Sequence, residues 1–181
     1  IESYKKLGGE IVIDKGFSSG DVDFKSQLTA IRAKNPDAIF VPAYYTDVGL
    51  IARQTRELGM KAPLLGGDGW DSPKLKEIGG KAIDGSYYSN HYSAEDKSAV
   101  VQDFIKRYKD AYKNETPDGL AAMGYDAANV LFDSMKRAKS LGGDDLKTAI
   151  AELKDFQGVT GKITLDAARN AQKSAVVLKM V

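Results

Sequence analysis

The chain has 181 residues, enough for one sizeable core, or for one complete lobe plus pieces of another. Hydrophobic residues make up 43% of it and charged residues 28%, as in ordinary globular proteins. Lys and Arg number 26 against 25 Asp and Glu, and this balance argues against nucleic acid, which selects a basic stripe. The absence of cysteine excludes disulfides and thiolate metal sites. No apolar run reaches the roughly 20 residues that a membrane-spanning helix needs.

The chain opens on what looks like an incomplete helix. Residues 1–9 are typical of the last two turns of an amphipathic helix that ends at glycine, and residues 10–13 predict a short strand. Domains seldom begin halfway along a helix. We therefore expect further residues upstream, and any signal peptide of a full-length precursor would be among them.

Short strands and amphipathic helices then alternate. Apolar residues at helical spacing predict a helix over residues 23–34, which ends where Pro36 disfavours helical angles. Residues 37–42 predict a strand that is buried on both faces, as parallel strands tend to be. A second helix over residues 48–58 and a strand over residues 63–66 follow.

The same alternation continues to about residue 90. Ser72 and Pro73 predict the start of a helix, with serine as the N-cap and proline at the first helical position. Residues 83–89 predict the last strand of this set. Repeated strand–helix units of about 30 residues predict an α/β fold, with a doubly wound parallel sheet and helices on both of its faces.

Residues 95–153 differ, because they predict three successive helices and almost no strand. Strand character returns at residues 162–165 and 175–181. The three helices have more apolar surface than they can bury on one another. We therefore expect them to pack on a sheet that lies outside this sequence.

Motifs for catalysis, metals and cofactors are not supported. There is no Walker loop, no G-x-S-x-G elbow and no G-x-G-x-x-G spacing in the glycine-rich residues 66–69. His91 is the only histidine, and a surface or hinge role suits it better than catalysis. Asp21 and Asp23 lack the later residues of a calcium loop, so a turn with a helix cap is the better interpretation. We expect neither an enzyme nor a bound cofactor or metal.

Two loops at strand ends carry unusual residues. In a doubly wound sheet, ligands bind beyond the carboxyl ends of the strands. Tyr44 and Tyr45 follow one strand and offer rigid aromatic faces with polar tips, although ordinary packing explains either one equally well. Asp68 follows the next strand between two glycines, and it is not needed as a helix cap. A ligand ammonium could bind it through a charge-assisted hydrogen bond; the alternative is a solvated turn aspartate.

At these loops the chain resembles a known family. Residues 44–59 and 65–70 strongly resemble the leucine/isoleucine/valine-binding family of periplasmic proteins, which has the type I periplasmic-binding-protein fold. Residues 35–40, 124–128 and 158–166 fit the same family, in the family's order. The resemblance covers essentially the whole chain. It is highly specific for the family and weakly specific for the ligand.

The resemblance implies two α/β lobes that close on a ligand about a hinge. Residues 1–91 would be lobe two without its first strand, residues 92–168 the helical end of lobe one, and residues 169–181 a return to lobe two. The N-terminal half, which holds the sheet of lobe one, would be missing. That would explain the unburied helices.

The same resemblance assigns site residues by position. Asp68 matches the acidic residue that binds the ligand's α-ammonium, although the family often has the longer glutamate there. Tyr44 or Tyr45 matches the tyrosine that closes over the ligand, and Trp70 would form a wall of the side-chain pocket. The residues that bind the α-carboxylate belong to lobe one.

The function implied is capture of a free amino acid, aliphatic, branched-chain or small and neutral, for the membrane permease of an ABC importer. The location implied is the periplasm, or the outer surface of a Gram-positive cell as a lipoprotein. A sensory ligand-binding domain on the same scaffold is the alternative, and an enzyme on a doubly wound sheet is a weaker third. Fold alone does not separate them.

Overall fold

The computed structural model describes residues 1–18 and 20–181, and the chain divides into two compact units. The first unit comprises Ile1–Tyr88 and Leu178–Val181, and the second comprises Ser89–Val177. Assignment of residues 1–91, 92–168 and 169–181 to the lobes of a two-lobed protein stays a prediction.

Helices and short strands alternate in the first unit. The helices are α1 (Glu2–Lys6), α2 (Lys25–Arg32), α3 (Tyr45–Glu57) and α4 (Pro73–Gly79). The strands are β1 (Ile39–Phe40), β2 (Leu64–Gly66) and the first half of β3 (Tyr87–Asn90), which continues into the second unit. The second unit contains α5 (Ala99–Ala111), α6 (Gly119–Arg137), α7 (Gly143–Ala151), β4 (Phe156–Gly158), β5 (Gly161–Leu165) and β6 (Ala171–Gln172). The last strand is β7 (Val176–Lys179).

A four-stranded sheet has the order β1-β2-β3-β7. The pairs β1–β2 and β2–β3 are parallel, as the strand–helix alternation predicted, with Phe40 opposite Leu65 and Leu65 opposite Tyr87. The carboxyl ends of β1 and β2 therefore lie side by side at one edge of the sheet.

One face of this sheet carries the core. Ile39, Val41, Leu64 and Tyr88 are buried in a cluster with apolar residues of α2, α3 and α4. Successive strand residues point to opposite faces, and the neighbouring Phe40 is 66% exposed. The prediction that residues 37–42 are buried on both faces is therefore wrong.

The strand predicted at residues 10–13 is also absent from the structure. A strand exists through ladder hydrogen bonds to a neighbouring strand. Within the described residues, β1 is the outermost strand of the sheet and has no partner beyond it. The apolar pattern of residues 10–13 is thus not sufficient to make a strand.

Sequence signals located the start of α4 correctly. The Ser72 side chain is the N-cap and accepts a hydrogen bond from the Lys74 N–H at 3.3 Å, and Pro73 is the first helical residue. Serine satisfies a backbone donor that the first turn leaves without an intrahelical partner, and proline lacks that donor. The helix that leads away from the end of β2 therefore begins at a defined residue.

Arg56 connects α3 to residues that follow the helix in sequence. Its guanidinium donates hydrogen bonds to the carbonyl oxygens of Ala82 at 3.1 Å, Met60 at 3.0 Å and Ala62 at 2.8 Å. Burial lowers the pKa of Arg56, since desolvation disfavours its charged form. A planar fork of donors suits this arrangement, and a single ammonium does not reproduce it.

Replacing Arg56 with lysine is expected to lower the free energy of unfolding by about 1–3 kcal/mol, because three partly buried carbonyls lose hydrogen bonds to a charged donor. Urea denaturation followed by circular dichroism measures this. Arg107→Lys is the matched control, because Arg107 lies on the exposed face of α5 in an ion pair with Asp103, and exposed pairs contribute little. Equal losses in the two variants would show that the three carbonyls do not depend on the guanidinium.

The second unit contains helices α5, α6 and α7 and a small antiparallel sheet, and α6 contacts β4. Strands β4, β5 and β6 pair in that order, and Val101, Phe104, Ile105, Ala122 and Val159 form the core with Tyr92. On α6, Leu131 is 39%, Phe132 55% and Met135 36% exposed. These accessible side chains agree with the prediction that the helices have excess apolar surface. No helix in the described residues is both long and apolar enough to traverse a lipid bilayer.

Asp126 connects α6 to the β4–β5 turn. It is 3% exposed and accepts hydrogen bonds from the Val159 N–H at 2.8 Å, the Thr160 N–H at 2.8 Å and the Thr160 hydroxyl at 2.7 Å. Gly158 leaves room for this carboxylate, because a Cβ there would lie 2.5 Å from the Asp126 Oδ2. The turn is therefore built around one buried charge.

Candidate functional site

Two loops follow the neighbouring carboxyl ends of β1 and β2. We call residues 43–45 the tyrosine loop and residues 67–71 the aspartate loop. A Cβ placed on Gly69 would lie 3.1 Å from the Ala43 carbonyl oxygen and 3.1 Å from the Tyr44 Cδ1. The backbone of one loop therefore packs directly against the other, so that a side chain at Gly69 would require its neighbours to shift by a few tenths of an ångström. The parallel register thus brings together the two loops that the sequence singled out.

Asp68 opens a short 3-10 turn, Asp68–Trp70, at the surface of the aspartate loop. The turn is fixed by backbone hydrogen bonds from the Trp70 N–H to the Gly67 carbonyl at 3.1 Å and from the Asp71 N–H to the Asp68 carbonyl at 3.0 Å. Asp68 is exposed, and it precedes Gly69, the glycine that lies against Tyr44. A carboxylate so placed is accessible to a ligand that approaches this edge of the sheet.

The two tyrosines have different surroundings. Tyr44 is the N-cap residue of α3, in extended conformation, and it is 72% exposed. Tyr45 is the first residue of α3, is half-buried and packs against the core. The sequence left the choice between them open. Tyr44 is the one whose ring lies beside Gly69.

The Trp70 side chain is the buried part of the aspartate loop. It is 1% exposed, its indole N–H donates to the Val41 carbonyl oxygen at 3.1 Å, and its ring stacks on Tyr88 with 6.1 Å between centroids. A Cβ on Gly66 would overlap the indole. Trp70 thus has little surface to offer a ligand. Its role as a wall of the ligand pocket stays a prediction.

Tyr88 and Asp71 complete this arrangement, and sequence reasoning missed both. The Tyr88 hydroxyl donates to the Asp71 Oδ1 at 3.4 Å. Burial, and then the negative charge of Asp71, raise the pKa of Tyr88, so the phenol stays protonated as a donor. The only signal for Tyr88 was its place in a predicted strand beside the one that ends at Gly66.

Neither of two surface clefts includes either loop. A cleft of about 280 Å³ in the first unit is lined by charged residues such as Asp23, Arg53 and Glu57. A cleft of about 270 Å³ in the second unit is lined by Arg107 and Asp133 among others. In the site loops, the Tyr44 ring and the Asp68 carboxylate are both exposed. No cluster of three or more potential metal ligands occurs in the described parts of the chain.

Comparison with known proteins gives one family along the chain. The model of the family described as periplasmic binding protein matches residues 1–179. Among curated proteins, the Leu/Ile/Val-binding protein BraC3 of Rhizobium johnstonii is 28% identical over 156 residues, which cover 84% of this chain and 41% of that protein.

Solved structures agree with the family model. The leucine-binding protein LivK of Thermotoga maritima is 40% identical with a TM-score of 0.90, over 97% of this chain and 50% of LivK. The branched-chain amino acid substrate-binding protein LivJ of Streptococcus pneumoniae, solved with isoleucine, is 35% identical with a TM-score of 0.86, over 99% of this chain and 51% of LivJ. The chain thus spans about half the length of these relatives. It belongs to the periplasmic binding protein family and has the type I fold of that family's branched-chain amino acid members.

Proposed function

We propose that this chain is part of an extracytoplasmic protein that captures an amino acid and delivers it to the membrane permease of an ABC importer. Membership of the periplasmic binding protein family supports transport and an extracytoplasmic location. The likeness to a LivJ that binds isoleucine supports an aliphatic ligand, branched-chain or small and neutral. The function is binding and release rather than catalysis.

One observation carries the proposal: exposed Asp68 precedes Gly69, the residue that lies against Tyr44, where two parallel strands end. A carboxylate recognises a ligand ammonium through charge-assisted hydrogen bonds, which are worth about 1.5–3 kcal/mol each. An aromatic ring next to it can cover the aliphatic part of the same ligand. Together they bind one end of an amino acid and leave its carboxylate for another surface.

Closure of two lobes supplies that other surface in the proposed mechanism. A ligand that contacts both lobes binds the closed form more tightly than the open form and shifts the population toward closure. Chain 1–181 contributes the ammonium site, and the carboxylate site comes from the other lobe. We therefore expect residues 1–181 alone to bind amino acids weakly or not at all.

Isothermal titration calorimetry of the full-length protein tests the proposal. Leucine, isoleucine, valine and alanine are compared with 4-methylpentanoate, which is leucine without its amino group. We expect leucine to bind about 100-fold more tightly than 4-methylpentanoate, because only leucine carries the ammonium. Equal affinities would remove the ammonium site from the proposal, and tight binding by residues 1–181 alone would contradict the two-lobe mechanism.

A further inference from the structure

The buried contacts beneath the aspartate loop connect it to a different strand from the one it follows. The loop continues from β2, yet the indole N–H of Trp70 donates to Val41, the residue directly after β1, at 3.1 Å. The tyrosine loop begins two residues later. Trp70 therefore bridges the two strands whose ends carry Tyr44 and Asp68.

Three neighbours leave the indole little freedom. Val41 accepts its N–H, Tyr88 stacks on its ring at an interplanar angle of 30°, and Gly66 lies so close that a Cβ there would overlap it. Tyr88 also donates to Asp71 at 3.4 Å, so the residue after Trp70 is attached to β3. Both ends of the 3-10 turn that contains Asp68 are thus connected to the sheet.

We infer that Trp70 is a positioning residue, which sets the place of the Asp68 carboxylate relative to Tyr44 through its bond to Val41 and its stacking on Tyr88. The inference rests on the proposed function, because it concerns how the ammonium site is held. A carboxylate that moves by about 1 Å loses much of a directional hydrogen bond to an ammonium, whereas apolar contacts with the rest of the ligand tolerate that shift.

The readout is the preference for leucine over 4-methylpentanoate, measured by calorimetry on the full-length protein as the ratio of the two Kd values. Trp70→Phe keeps an aromatic ring and removes the N–H donor. We expect it to weaken leucine binding at least about tenfold and to leave 4-methylpentanoate binding within about twofold. General destabilisation would instead weaken both ligands alike.

Ile83→Val is the matched control, because Ile83 is 0% exposed in the same core cluster and contacts neither loop through a hydrogen bond. Its preference for leucine should equal that of the wild type. Gly69→Ala is the second variant if Trp70→Phe does not fold, since its Cβ would press on Tyr44 and the Ala43 carbonyl without opening the core. It should also reduce the preference.

The outcomes separate this inference from the proposed function. A preference that falls in Trp70→Phe supports the positioning role. A preference that falls in Gly69→Ala with no change in Trp70→Phe assigns the position of the carboxylate to the packing of the two loops and overturns the role of Trp70. A preference that collapses in Asp68→Asn but is unchanged in both of those variants overturns the positioning role and leaves the ammonium site intact. No preference in the wild type overturns the proposed function and the inference with it.

Discussion

Replacing Asp68 with asparagine is expected to weaken leucine binding by the full-length protein about 100-fold, as measured by calorimetry. The amide is nearly isosteric but carries no charge, so a charge-assisted hydrogen bond worth about 1.5–3 kcal/mol is lost. Asp68→Ala also removes the acceptor oxygens, and we expect it to abolish measurable binding. Asp68→Glu keeps the charge and the acceptor oxygens on a side chain that is one methylene longer, and it should retain binding.

Asp37→Asn is the matched control for this result. Asp37 is exposed, belongs to the same unit and precedes β1, so it lies at the opposite edge of the sheet from Asp68. Both substitutions remove one surface charge, and long-range electrostatic effects would appear in both. Unchanged leucine affinity in Asp68→Asn would refute the assignment of Asp68 as the ammonium site, whatever Asp37→Asn does.

Replacing Asp126 with alanine is expected to lower the free energy of unfolding by about 3–5 kcal/mol. The substitution leaves the Val159 and Thr160 N–H groups buried without their acceptor, and each such group costs about 1–3 kcal/mol. A small cavity adds to the loss. Urea denaturation of chain 1–181, followed by circular dichroism, measures the change in midpoint.

Asp133→Ala on the same helix is its control. Asp133 pairs with Arg137 four residues later at 2.7 Å, and both side chains are more than a third exposed. An exposed pair of this kind contributes about 0.3–0.5 kcal/mol. If the two aspartate variants unfold at the same urea concentration, then the β4–β5 turn does not depend on Asp126.

Local patterns located the helices and most of the strands, since the strands predicted at residues 63–66, 162–165 and 175–181 overlap β2, β5 and β7. Helix α6 was marked by apolar residues at helical spacing, and α4 by Ser72 and Pro73, because these signals act within one or two turns. A strand depends on a neighbour that is distant in sequence. Residues 10–13 have the right pattern but form no strand, and Phe40 has the right side chain but is exposed.

The dependence of strands on neighbours that are distant in sequence also explains which parts of the site the sequence could predict. Asp68 and the tyrosines could be selected because their residue types are unusual at strand ends. The contact between their loops could not, since it depends on the pairing of Phe40 with Leu65 and on the space beside Gly69. Trp70 was assigned to a pocket wall by the resemblance alone, and the structure buries it almost fully.

The burial of Trp70 has a practical consequence, because it is the only tryptophan among the 181 residues. Light of about 295 nm excites indole and not phenol, so the intrinsic fluorescence of this chain comes from a single place, directly under the aspartate loop. Unfolding exposes this indole to water and changes its emission. Urea denaturation of chain 1–181 can therefore be followed at the aspartate loop without an added label.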